Sequence, residues 1–211
     1  MRIFKVPQII GKIFPEIYWT FPDKSGHVFL TFDDGPDMRY SPKILKILEQ
    51  EDISATFFVL GNKAEKNPSL TKQIHQGGHE IGIHSCKHQS LFFQSRSSIY
   101  NQLDKSKRIV EEIIKDDVLY FRPPYGCLTP QVIRICSELN LKPVMWNILT
   151  YDFDLRVSDN FIFNLIGKNV KGGAIIVLHD GNYNSDRTVR ILESIIKILK
   201  EKGFQLNSIS K

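Results

Sequence analysis

Residues 28–36 read VFLTFDDGP. The apolar run Val28 to Phe32 has the composition of a buried strand, and the Gly35-Pro36 turn forces the chain away just beyond it. Asp33 and Asp34 are thereby left as adjacent carboxylates at a strand tip. Two neighbouring carboxylates repel, which suggests a shared cation or divided roles such as ligand and base. Taken alone, the same pair could equally cap backbone amides in a turn.

Outward from this stretch, short apolar runs alternate with longer amphipathic ones, the pattern of a parallel sheet with crossover helices. Further strands are expected at Ser54–Leu60, His79–His84, Val118–Phe121, Val144–Asn147, Ala174–Leu178 and Phe204–Ile209, about seven in all. Helices should open at Ser41-Pro42, Asn67-Pro68 and Thr129-Pro130, each as N-cap and first helical residue. Asp186 is expected to cap the last helix, whose Val189, Leu192, Ile195, Ile196 and Leu199 recur at helical spacing before Gly203. In such folds every parallel strand delivers its carboxyl end to one face, so residues distant in sequence meet there.

Composition sets the frame. The 211 residues are 42% hydrophobic and 24% charged, the balance of a globular chain with a core. The net charge of +5 is scattered and contains no run that would mark a nucleic-acid-binding arm. Cys86, Cys127 and Cys136 share no CxxC spacing and read as free thiols, which favours a reducing compartment. Residues 1–26 are expected to form an extension packed on a domain spanning 27–211. Its Phe4, Ile9, Ile10, Phe14, Tyr18, Trp19 and Phe21 could alternatively give weak contact with a membrane surface. Pro7, Lys12 and Pro15 break its apolar stretch, so neither a cleavable signal nor a membrane span is recognised, and the cytoplasm is the default location.

Three more stretches carry chemistry. In His84-Ser85-Cys86-Lys87-His88 two imidazoles stand four residues apart after a strand, and one helical turn would aim both at one ion. Joined to an acidic pair on another strand tip, they make an Asp-His-His set with room for water. The other pair at this spacing, His75 and His79, straddles a helix and a strand and reads as structural. Arg122-Pro123-Pro124-Tyr125-Gly126 mounts a guanidinium on a stiff backbone. Leu178-His179-Asp180 ends the most apolar strand with a group suited to proton transfer near neutral pH. Each stretch alone has a plain structural reading, as a turn, a surface arginine or a satisfied histidine.

Together, TFDDGP, HSCKH, RPPYG and LHD resemble the polysaccharide deacetylase (NodB-homology, carbohydrate esterase 4) family over about residues 27 to 209. The resemblance implies a distorted, incomplete (β/α) barrel. It makes Asp34, His84 and His88 the ligands of one divalent metal, zinc or else cobalt or a similar ion. It makes Asp33 the general base, Arg122 the residue that orients it, His179 the general acid, and the Tyr125 N–H an oxyanion donor. Leu178 would help floor an acetyl pocket beside Trp146. In a further family motif, aligned here with residues 146–153, Leu149 replaces an Asp and Phe153 replaces a Trp, whereas Asp152, the partner of the catalytic His, remains. The implied activity is removal of N-acetyl groups, as acetate, from an N-acetylglucosamine-containing glycan of peptidoglycan or chitooligosaccharide type, by a monomer. Two other readings stay open: hydrolysis of a different non-peptide C–N bond, or sugar binding without turnover.

Overall fold

The computed structural model of the protein describes residues 16–21 and 26–210. Within these residues, eight strands form one sheet: β1 (His27–Asp33), β2 (Thr56–Val59), β3 (Glu80–Ile83), β4 (Tyr120–Phe121), β5 (Lys142–Pro143), β6 (Ile148–Leu149), β7 (Ala174–His179) and β8 (Gln205–Leu206). Among the described residues, seven α-helices connect or flank them: α1 (Ser41–Gln50), α2 (Gly61–Lys66), α3 (Pro68–Gln76), α4 (Arg96–Ile114), α5 (Pro130–Glu138), α6 (Asp159–Asn169) and α7 (Ser185–Glu201). The order is β5-β4-β3-β2-β1-β7-β6, with β8 pairing the start of β1, and all pairings are parallel. The sheet curls into a barrel that does not close. Across the opening, Tyr18 bridges Val144 beyond β5, and Thr20 bridges Ala174 at the start of β7. Phe21 donates its N–H to the Gly173 carbonyl and packs on Phe29. Residues 1–15, on which much of the expected extension and its membrane contact rest, lie outside the described residues.

Alternation along β1 sorts its side chains into two cores, because successive residues of a strand point to opposite faces. Val28, Leu30 and Phe32 join the large core between sheet and helices, together with Leu192, Ile195, Ile196 and Leu199 of α7. Phe29 instead faces into the barrel with Phe58, Tyr120, Val144, Ile175 and Ile209. This inner aromatic and aliphatic plug fills the lower barrel. The next residues inward along β1, Thr31 and Asp33, therefore sit above it and begin the polar layer.

Three expectations need correction. Val144–Asn147 is not a strand; β5 and β6 flank it. The carbonyls of Val144 and Met145 accept from the Arg122 guanidinium at 3.2 and 2.9 Å, so they are not free for a neighbouring strand. Ser41 is not an N-cap: Tyr40 takes that position, and the Ser41 hydroxyl donates to Asp180. The last helix is capped in position by Asn184, with Asp186 in its first turn, where a negative charge suits the helix dipole. Thr129 does cap α5, accepting from the Val132 N–H. No helix among the described residues is long and apolar enough to cross a membrane.

Candidate active site

The carboxyl ends of β1, β3, β4 and β7 surround a cavity of about 410 Å³. It is lined by Asp33, Asp34, His84, His88 and His179, with Tyr125, Trp146, Leu149, Tyr151, Phe153, Val177 and Tyr183 among the side chains around them. Asp33 ends β1 and Asp34 begins the following turn with φ 75°, an uncommon conformation for a residue with a Cβ. That backbone swing turns the second carboxylate away from the first. The adjacent acids thus end in different surroundings, which lowers their mutual repulsion.

Asp34 meets the two histidines. Its Oδ1 lies 3.7 Å from His84 Nε2 and 3.4 Å from His88 Nε2, and one donor atom from each of the three lies within 4.8 Å of the others. No helical turn brings the imidazoles together, contrary to expectation: residues 84–88 form irregular bends, with Ser85 at φ 67°. His84 Nδ1 stands 2.7 Å from the Arg122 carbonyl, which can only accept, so the proton sits on Nδ1 and the Nε2 lone pair faces Asp34. Burial, aided by the neighbouring His88, pushes His84 down to about 3 against the pull of Asp34, so the ring is neutral at ordinary pH. Asp34 Oδ1 is buried and has no hydrogen-bond partner. An unsatisfied carboxylate oxygen facing an imidazole lone pair is costly unless a cation lies between them. The donor set therefore fits a divalent metal.

Asp33 has a different partner. Arg122, wholly buried, donates from one terminal nitrogen to Asp33 Oδ1 at 2.8 Å and to Thr31 Oγ1 at 2.6 Å. Its other nitrogens reach the Val144 and Met145 carbonyls, and its plane lies 4.0 Å from the Phe58 ring centroid. Burial pulls the guanidinium pKa down, and the charge and hydrogen bond of Asp33 oppose that pull. With every nitrogen engaged and a ring beneath it, the group can hold the carboxylate in one orientation.

The opposite wall carries His179, whose Nδ1 is 2.7 Å from Asp152 Oδ1. Asp152 also accepts from the His179 N–H at 2.8 Å and from the Thr188 hydroxyl at 2.6 Å. Burial alone would lower the imidazole pKa, but Asp152, helped by Asp34 and Asp33, raises it to about 9. Asp152 itself is held below the usual carboxylate range: burial pushes it up, and His179 with Thr188 outweighs that push. Phe153 sets its ring edge-on against the imidazole, 4.8 Å between centroids. Nδ1 is occupied, so Nε2 is the nitrogen left for the cavity.

Ten residues were singled out from sequence. Nine line the cavity or support those that do. Tyr125 sits in a 3₁₀ turn at φ 58°, its ring 4.4 Å from that of His88, and Trp146 borders both the cavity and the inner plug. Leu178 is the exception. It is wholly buried in the core beneath the helices, and Val177 lines the cavity instead. A one-residue step along a strand reverses the face, so the alternation that places His179 inward also places Val177 inward and Leu178 outward. His75 and His79 lie at the far end of the strands, where His79 Nδ1 accepts from the Ala55 N–H at 3.2 Å. Sequence reasoning missed Thr188, Tyr183 and Val177. Only Val177 had a readable signal, namely its parity with His179.

A sequence model of the family described as "Polysaccharide deacetylase" matches residues 21–144. A peptidoglycan-N-acetylglucosamine deacetylase of Bacillus cereus is 34% identical over 199 residues, 92% of each chain. A crystal structure of a peptidoglycan N-acetylglucosamine deacetylase superposes with a TM-score of 0.89 at 32% identity, over 97% of this chain and 95% of that one. A carbohydrate esterase family 4 pseudoenzyme from Bacillus anthracis superposes with a TM-score of 0.83 at 29% identity, over 92% of this chain and 67% of that one. On these likenesses in sequence and fold, the chain belongs to the polysaccharide deacetylase family.

Proposed function

We propose that the protein is a metal-dependent hydrolase that removes N-acetyl groups from an N-acetylglucosamine-containing glycan of peptidoglycan or chitooligosaccharide type, releasing acetate. The observation that carries this is the pairing, in one cavity, of an unsatisfied Asp34 oxygen facing two imidazoles with two further acid–base groups, Asp33 held by Arg122 and His179 held by Asp152. Asp34, His84 and His88 would hold the ion, and zinc suits their oxygen and nitrogen donors. When bound, such a cation supplies Lewis acidity that polarises a carbonyl and acidifies water.

The chain's own groups account for the proton movements. Asp33, oriented by Arg122, takes a proton from the attacking water; His179, already charged and backed by Asp152, returns one to the departing sugar amine. The Tyr125 N–H is assigned to the oxyanion. Val177, Trp146 and Leu149 offer apolar surface for the acetyl methyl, and the half-exposed or exposed rings of Tyr125, Phe153 and Tyr183 offer faces on which a sugar can stack. The cavity volume lies within the roughly 300–1,000 Å³ of small-molecule sites.

The test is acetate release from peptidoglycan fragments, chitooligosaccharides and small N-acetyl amides, measured alongside the metal content of the purified protein. Acetate from a glycan in metal-loaded protein, abolished by a chelator, is the expected result; release only from small amides would reassign the substrate. A second reading, sugar binding without turnover, is favoured by one observation: a pseudoenzyme shares this fold. Calorimetry showing sugar binding by metal-replete protein that releases no acetate would establish it.

A further inference from the structure

Asp180 and Gly181, immediately after His179, play no part in the proton movements proposed above, yet both fit closely against the loop that carries Asp33 and Asp34. Asp180 is wholly buried, and its carboxyl lies flat against the α-carbon of Gly35, where a Cβ would meet Asp180 Oδ2 at 2.3 Å. Gly181 returns the fit. A Cβ there would meet the Asp34 carbonyl oxygen at 2.0 Å. Neither glycine is needed here for a positive φ; each is needed because another part of the chain occupies the space a side chain would fill.

Polar contacts lock this interdigitation from three directions. The Asp180 N–H donates to the Asp33 carbonyl at 3.1 Å. The Ser41 hydroxyl, at the start of α1, donates to Asp180 Oδ2 at 2.5 Å and accepts from the Asp37 N–H at 2.8 Å. Lys63 of α2 donates to the Gly181 carbonyl at 2.5 Å, and the Leu60 N–H donates to that of Gly35 at 2.9 Å. The loop carrying Asp33 and Asp34 and the loop carrying His179 are thus held back to back, with both tied to the first residues of α1 and α2.

We infer that Asp180, Gly181, Gly35 and Ser41 form a clamp that sets the separation between the Asp33–Asp34 tip and His179, making Asp180 and Gly181 positioning residues for the reaction. The functional part of the inference rests on the reading of the cavity as a metal-dependent deacetylase. Its physical basis is that metal donors and acid–base groups must be held within a fraction of an ångström, which rigid neighbours supply.

Gly181→Ala adds one methyl group that must push the two loops apart, and Ser41→Ala removes one hydroxyl that anchors Asp180. Both would be purified without metal, checked by far-ultraviolet circular dichroism, titrated with Zn²⁺, and assayed for kcat and KM on a chitooligosaccharide. Gly181→Ala is expected to weaken Zn²⁺ binding at least ten-fold and to lower kcat by about a hundred-fold. Its KM should change far less, since the sugar-facing side chains are untouched. Ser41→Ala should move both quantities the same way by a smaller factor, and Ser41→Thr, which restores the hydroxyl, should recover them. Folded Gly181→Ala or Ser41→Ala protein with wild-type Zn²⁺ affinity and kcat overturns the clamp. If Gly181→Ala does not fold, the Ser41 pair decides. If wild-type protein neither binds Zn²⁺ nor releases acetate, the functional reading fails; crystal structures of metal-free wild type and Ser41→Ala then decide the clamp, which is overturned if the Asp34-to-His179 separation is unchanged.

Discussion

The cavity contains two pairings of aspartate with histidine, and they end in opposite states. Around Asp34, His84 is pushed down to about 3 and stays neutral; beside Asp152, His179 is raised to about 9 and stays charged. Burial acts on both rings in the same direction, so burial does not distinguish them. The difference lies in what each nitrogen faces. His84 turns Nδ1 to a backbone carbonyl and shows Asp34 a lone pair at 3.7 Å, whereas His179 turns Nδ1 to its carboxylate at 2.7 Å. Asp152 is further satisfied by a backbone N–H and by Thr188, while Asp34 Oδ1 has no hydrogen-bond partner. One pair is finished and holds a proton. The other is left open in the manner of a site for a cation.

Breaking the open pair should have the largest effect. Asp34→Ala or His88→Ala is expected to abolish zinc uptake and acetate release together, and unchanged metal content by mass spectrometry would remove these residues from the ligand set. Breaking the finished pair should separate the two properties: His179→Asn is expected to keep its metal while losing about 10²–10⁴-fold in turnover. Asp152→Asn should let the His179 pKa fall from about 9, measurable by NMR titration of the ring.

Two milder tests sharpen the contrast. Because the folded His179 pKa lies above the ordinary histidine value, its pairing stabilises the fold fully below about 6.5 and is lost as pH rises through about 9. Thermal stability and turnover should therefore both decline across that window, and Asp152→Asn should flatten the stability change. Loading the metal places positive charge beside Asp34, which helps to raise His179, so the His179 pKa should be lower in metal-loaded than in metal-free protein. The smallest effect on chemistry is expected from Leu178→Ala: a stability loss of about 2–5 kcal/mol by denaturant unfolding, with kcat of the folded protein unchanged. Val177→Ala, which reshapes the cavity wall, should by contrast alter KM or kcat.

Much of this arrangement was legible because it depends on local pattern. The run VFLTF followed by DDGP announces a strand with carboxylates at its tip, and β1 spans His27–Asp33. Six of the seven expected strand regions recur in the structure; the seventh, Val144–Asn147, does not, and β5 and β6 lie to either side of it. That departure was hidden because its cause is Arg122, a residue more than twenty positions earlier that claims two backbone carbonyls. Leu178 departs from expectation for a simpler reason: the strand alternation that turns His179 and Val177 into the cavity turns Leu178 into the core.

Residue types, their order and their spacing were determined by the sequence alone, because strand alternation, glycine–proline turns and helix starts act over a few residues. Which carboxylate meets which histidine does not follow from local spacing: the family resemblance implies it, and the tertiary structure brings the groups together. Asp34, His84 and His88, like Asp152 and His179, come from separate elements, and their protonation depends on the burial and partners acquired when those elements meet. Local chemistry proposes the groups, and the electrostatics of the assembled barrel sets their charge.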